Sequence, residues 1–197
     1  MPHQHHLASL VGSRLCHDLI GPIGAIGNGV ELMMLPGNGR SDEVAMIAES
    51  VATLTARIRF YRVAFGTAQG DQSISRSEVL AILAGLYPSG RIAITWASPT
   101  DLLKAEIRAI FLLILCAEQG LRSTGRIHIQ QDASGWCLTL SSPRLDPNAT
   151  HWALLTSEDH TAVSPAEVQF PLAALALAAL GRQLRLVPSG ECLKINF

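Results

Sequence analysis

From Val44 to Phe65 the apolar residues Val44, Ile47, Val51, Leu54, Ile58, Tyr61 and Phe65 stand alternately three and four apart. That spacing lays one apolar stripe along a helix and suits packing into a left-handed bundle. Residues 7–34 also carry helical spacing, and the runs are separated only by Leu35-Pro36-Gly37-Asn38-Gly39-Arg40-Ser41, whose proline and glycines mark a turn. A helical hairpin is expected, its second arm opening at Ser41 and Asp42. On the first arm, the residues within ~60° of Leu19 on a helical projection are Ala8, Gly12, Leu15, Cys16, Ile23, Ile26, Val30, Met33 and Met34. Two helices cannot cover faces this broad. A second copy completing a four-helix bundle around a two-fold axis is the expected cover; the second half of the same chain is the alternative.

Composition narrows the function classes. A chain of 197 residues with 48% hydrophobic content can bury a sizeable core. With 16% charged residues and a formal net charge of -1, it has no basic field for nucleic acid or anionic lipid, so neither nucleic acid nor membrane is an expected partner. The longest apolar runs, 109–117 and 171–180, fall short of the ~20 residues of a membrane-spanning helix. Cys16, Cys116, Cys137 and Cys192 form no CxxC pair, which argues against a zinc knuckle or disulfide framework. The N-terminus lacks the basic-then-apolar pattern of an export signal, so a cytoplasmic location is expected. His3, His5 and His6 read as chain-end residues rather than a metal site, and no bound metal is expected.

After Gly70-Asp71-Gln72-Ser73 the pattern becomes mixed, dividing the chain into a hairpin at 1–70 and a second domain at 71–197. Helices are expected over 77–86, 102–121 and 165–183. Ile92, Ile94 and Trp96 alternate as a strand; Ile127 and Ile129, then Trp136, Leu138 and Leu140, form a hairpin across Ala133-Ser134-Gly135. A last hairpin pairs 184–187 with 193–197, turning at Pro188-Ser189-Gly190. The fold class is therefore α+β, a mixed sheet with helices on one face.

His17 lies two residues before Leu19, a rotation of ~200° away from the apolar stripe, so its imidazole should meet solvent. Directly after it come Gly21, Pro22, Gly24, Gly27 and Gly29, although an interior Gly costs a helix about 1 kcal/mol and an interior Pro about 3 kcal/mol. Departures from local propensity cluster at functional sites. Cys16-His17-Asp18-Leu19-Ile20-Gly21-Pro22 is thus the most informative segment.

His-acid-x-x-x-Pro on the first helix of a hairpin resembles the phosphoacceptor signature of sensor histidine kinase dimerisation domains. The longer stretch from Arg14 to Pro22, with Arg59 to Gly66 closing the second helix, is similar to the ChpT-type histidine phosphotransferases of alphaproteobacteria, and the similarity extends over nearly the whole chain. In that family a domain resembling a kinase ATP-binding domain, stripped of its nucleotide site, follows the hairpin. The same losses stand in this sequence. The long helix reads Ile110-Phe111-Leu112-Leu113-Ile114-Leu115-Cys116-Ala117, without the magnesium-binding Asn. Ser142-Pro143-Arg144-Leu145-Asp146-Pro147 lacks the glycines of Asp-x-Gly-x-Gly, and Ser164-Pro165-Ala166-Glu167-Val168 replaces the Gly-rich lid. The resemblance implies no bound cofactor and no ATP.

It also implies transfer between receiver-domain aspartates of a hybrid histidine kinase and of response regulators, through His17, with Mg2+ supplied by the receiver. Imidazole near neutral pH keeps one ring nitrogen unprotonated and nucleophilic. Asp18 either fixes the ring tautomer or is a solvated helix carboxylate. Gly21 and Gly24 lie one and two turns on from His17, where bare backbone admits close approach by a partner. Ser13 and Arg14 lie one turn before it; Arg14 pairs with phosphoryl oxygens or is an ordinary surface arginine. Leu10 and Ile20 project to the His17 side as partner anchors or as scattered surface apolar residues. Across the hairpin, 57–62 should lie opposite, so Arg59 is expected to add positive charge. Competing functions are an ATP-dependent kinase or ATPase, and a non-catalytic dimeric adaptor for receivers. His128, His151 and His160 read as ordinary strand or loop residues.

Overall fold

A computed structural model of the chain describes residues 2–34, 40–68, 71–88, 90–98, 101–122, 124–132, 135–146, 149–157 and 163–197. Helix α1, Pro2–Met33, and helix α2, Arg40–Ala64, pack as a hairpin. The centre of the expected turn, 35–39, lies outside the described residues, as do Ala133, Ser134, Pro147 and His160. Helix α1 runs unbroken through Pro22. Gly29 has a packing reason: a Cβ there would stand 2.6 Å from Ile47 Cγ1, so its absence lets the two helices approach.

Beyond the hairpin, β1 (Ser73–Ile74) precedes α3 (Arg76–Leu86), whose first turn is capped by Ser75 Oγ accepting from the Glu78 amide at 3.1 Å. Next come β2 (Ile92–Ala97), β3 (Leu102–Leu103), α4 (Lys104–Gly120), β4 (Gly125–Asp132) and β5 (Gly135–Ser141). Two 3-10 turns, Thr150–Leu155 and Pro165–Glu167, lead to α5 (Gln169–Ala179), followed by the hairpin of β6 (Arg185–Ser189) and β7 (Cys192–Asn196). The helix expected from 102 starts two residues later, because Leu102 and Leu103 pair with Ile74 and Ser73. The helix expected to reach 183 stops earlier, where the chain turns through Gly181 at φ 65°.

The main sheet has the order β2-β4-β5-β7-β6, parallel only between β2 and β4. A parallel pair needs a long crossover, and α4 supplies it. Alternation along the strands turns Ile127, Ile129, Leu138, Leu140, Leu193 and Ile195 into the core, with Ile127 opposite Leu140 and Ile129 opposite Leu138. Every residue of α4 from Ala109 to Ala117 is buried. Near the end of that helix, Trp152 covers Gly120 so closely that a Cβ there would meet the indole at 2.2 Å, and Trp152 Nε1 donates to the Asp146 carbonyl at 3.1 Å. His151 lies against Trp152 and Phe170 with its ring tilted to both, and His128 sits in β4, its Nε2 3.2 Å from Gln130 Oε1.

The two halves share a core at the base of the hairpin. Phe60, Tyr61, Val63 and Ala64 of α2 are buried with the sheet residues, and Phe60 stacks on Phe111 at 4.4 Å and 4°. The second half covers only this end. Cys16, Ile23, Val30 and Met34, expected on a covered stripe, are exposed in the protomer, as are Val44, Val51 and Ile58 of α2.

Candidate functional site

The imidazole of His17 is 88% exposed, while the carboxylate of Asp18 beside it is only 14% exposed. Their difference follows from helix geometry: at ~100° per residue, successive side chains diverge, so one meets water and the next turns toward α2. The two remain in contact, with His17 Nδ1 3.1 Å from Asp18 Oδ1. The other carboxylate oxygen, Oδ2, accepts from Arg14 Nε at 2.8 Å and from the Tyr61 hydroxyl. Burial opposes the charge of Asp18, but hydrogen bonds from Tyr61, Arg14 and His17, with the charge of Arg14, outweigh it and hold the pKa below the usual carboxylate range. Burial and the bond to Asp18 push the Tyr61 phenol well above its usual range, so it stays a donor.

Pro22 explains a further contact. Lacking an amide proton, it cannot bond the carbonyl four residues back, that of Asp18. Arg57 Nη1 fills the gap from α2, donating to that carbonyl at 3.0 Å. The proline thus opens a place on α1 that an arginine of the opposite arm closes.

Arg57 and Tyr61, rather than Arg59, are therefore the α2 residues at Asp18. They lie four apart on one helix face, whereas Arg59 lies ~200° round from Arg57 and is exposed. Arg14, read from the sequence as a partner of phosphoryl oxygens or an ordinary surface arginine, has only 17% of its side chain exposed. It is turned toward the second half, where Nη1 donates to the Ala166 carbonyl at 2.8 Å and to Gln169 Oε1 at 2.9 Å. Ser13 is exposed, Leu10 half-buried, and Ile20 is 70% exposed. Gly21 and Gly24 are exposed, and an added Cβ would meet nothing within 4 Å at either.

A cleft of about 780 Å³ opens beside His17, between α1, the end of α2, α4 and residues 164–166. Glu118 on its α4 wall has its carboxyl raised above the usual range by burial, although Arg14 and Arg57 pull it down. Sequence reasoning placed 57–62 opposite His17 but singled out Arg59 rather than Arg57 or Tyr61, and it missed Glu118 and Gln169. The i,i+4 spacing of Arg14 and Asp18 was a legible signal for that pair. Tyr61 was hidden in an apolar stripe, where its ring belongs, while its hydroxyl serves the site.

The model of the histidine phosphotransferase C-terminal domain matches residues 76–191, well over half of the 197-residue chain. The chain belongs to the histidine phosphotransferase family. Over 130 residues this family member is 29% identical to the protein phosphotransferase ChpT of Brucella abortus (strain 2308), a match covering 65% of the chain and 62% of the relative. It thus spans under two thirds of that relative's length. A bacterial phosphotransferase solved at 1.7 Å superposes with a TM-score of 0.79 at 23% identity, over 96% of this chain and 94% of that one. The two share a fold, α+β with a helical hairpin and a mixed sheet. Among the described residues, no helix of this family member is long and apolar enough to cross a membrane.

Proposed function

We propose that this chain relays a phosphoryl group between receiver-domain aspartates through His17. One observation carries the reading: a solvent-facing imidazole whose inner nitrogen is held by an ionised, partly buried carboxylate. An ionised carboxylate only accepts hydrogen bonds, so Nδ1 carries the proton and Nε2 presents its lone pair outward. In the transfer, Nε2 attacks phosphorus of a receiver aspartyl phosphate, the N–P bond forms, and the P–O bond to the aspartate breaks. The aspartate leaves as carboxylate, Nδ1 keeps its proton, and Asp18 balances the charge gained by the ring. A second receiver aspartate reverses the step. The Mg2+ that neutralises the phosphoryl oxygens belongs to the receiver's acidic pocket.

The partners we propose are the receivers of a hybrid histidine kinase and of response regulators. Ile20 at 70% exposure gives them an apolar contact beside the ring, and the open backbone at Gly21 and Gly24 gives close approach. We assign 1–70 to the phosphotransfer hairpin and 71–197 to a second domain that works without ATP. Supporting that reading, α4 is apolar and buried where a kinase places its magnesium ligand, and Trp152 closes over Gly120 at its end. A homodimer is supported by heptad-spaced apolar residues left open on the hairpin, Ile23 and Val30 on α1 and Val44, Val51 and Ile58 on α2. A cytoplasmic setting suits its four free cysteines.

The test is to incubate the protein with a phosphorylated receiver domain. Acid-labile, base-stable label on the wild type and none on His17→Ala is expected. An unlabelled wild type, with the receiver bound, leaves the adaptor reading instead.

A further inference from the structure

We propose that Gln169, in the second half of the chain, is a positioning residue that sets which nitrogen of His17 is free to react. The inference rests on the reading of His17 as phosphoacceptor. Gln169 opens α5 and is fully buried, at 0% exposure. Both of its amide donors are committed, Nε2 giving to Gln119 Oε1 at 2.8 Å and to the Ala166 carbonyl at 2.8 Å. The amide therefore has one orientation, because reversing it would face donors toward the guanidinium and an oxygen toward two oxygens. Oε1 is left to accept from Arg14 Nη1 at 2.9 Å, and the Ala166 carbonyl takes the same nitrogen at 2.8 Å.

Two acceptors on Nη1 hold the guanidinium plane, and a planar guanidinium so held aims Nε along a fixed line. That line ends on Asp18 Oδ2 at 2.8 Å. With Oδ2 taken by Arg14 and Tyr61, Oδ1 is the oxygen left for His17 Nδ1 at 3.1 Å. A continuous chain of contacts thus runs from α4 through α5 to the phosphoacceptor, as Gln119, Gln169, Arg14, Asp18, His17. Outer partners of this kind orient the group that reacts without touching it. The second half, on this account, is the frame that keeps the histidine in its reactive tautomer.

The experiment replaces Gln169 by an apolar side chain of similar length, Gln169→Met, and separately breaks the bridge from the other side with Arg14→Lys. Lysine keeps a positive charge by Asp18 but lacks the fork that spans both partners. The tautomer of His17 is read in the free protein from long-range 1H–15N correlation spectra. Phosphotransfer from a labelled receiver is measured over a range of receiver concentrations. Wild type should hold the proton on Nδ1. Both variants should show the two tautomers mixed and a maximal rate lowered about tenfold, with the half-saturating receiver concentration unchanged. Folded variants with the wild-type tautomer overturn the proposal, whether the rate is unchanged or falls only in step with thermal stability. If Gln169→Met does not fold, Arg14→Lys decides. Failure of the underlying reading looks different: wild type then takes no phosphoryl group, while the tautomer comparison can still be made.

Discussion

Asp18 binds four groups while its neighbour His17 stands almost free in water: Arg14 and Tyr61 share one carboxylate oxygen, His17 takes the other, and Arg57 takes the backbone carbonyl. Replacing the carboxylate, Asp18→Asn, keeps the shape but puts the tautomer choice at risk, and transfer should slow by about 10- to 100-fold. The same variant has a signature in stability. Burial disfavours the charge of Asp18, but its hydrogen bonds and Arg14 depress the folded pKa below the ordinary 3.8. A depressed carboxylate stabilises the fold fully above its unfolded pKa and loses that contribution as pH falls through the folded one. The stability gap between wild type and Asp18→Asn should therefore stay level from neutrality to about pH 5 and close below it, as urea titrations at several pH values will read. A gap that does not narrow as pH falls through the acid range contradicts the ionised carboxylate. At this scale the sequence announced His17 by its place off the apolar stripe, and Asp18 by adjacency. It concealed Gln169, because a contact across 155 positions is set by tertiary packing and leaves no local spacing to read.

Helix α1 carries glycines for two different reasons. Gly29 makes room for Ile47 of α2, whereas Gly21 and Gly24 face open space within the protomer. Gly24→Ala should consequently raise the stability of the hairpin by up to about 1 kcal/mol, since nothing in the chain opposes a methyl group and the unfolded state loses entropy. If receivers approach the bare backbone there, the same change slows phosphotransfer. Thermal melts and transfer rates measured side by side check both halves of that expectation. The longer elements were legible because their apolar periods run for several turns or strand pairs. β1 and β3 were not, being two residues each and too short for any period. Nor was the 3-10 turn Thr150–Leu155, whose identity depends on Trp152 packing over Gly120.

For the whole molecule, the buried base of the hairpin and its exposed upper part define separate tasks. Phe60 against Phe111 fixes the hairpin to the second half, which lets α5 reach Arg14. The upper faces leave Val44, Val51 and Ile58 exposed in heptad spacing, the seam we propose for a second copy. A charge placed in that seam, Val51→Glu, should convert the dimer to a monomer by light scattering while leaving the second half folded. A wild type already monomeric at high concentration removes the four-helix bundle from the account. The change of period near residue 70 led to an expected division there, but gave no sign that the residues on either side share a core, because the aromatic residues ending α2 fit the bundle stripe and the shared core equally well. The proposed relay rests on the chemistry of one nitrogen, Nε2 of His17. Its most direct measurement is the 31P NMR spectrum of the protein after reaction with a phosphorylated receiver domain. A phosphohistidine signal with phosphorus on Nε2 of His17 is predicted; phosphorus on Nδ1, on another residue, or on no residue contradicts it.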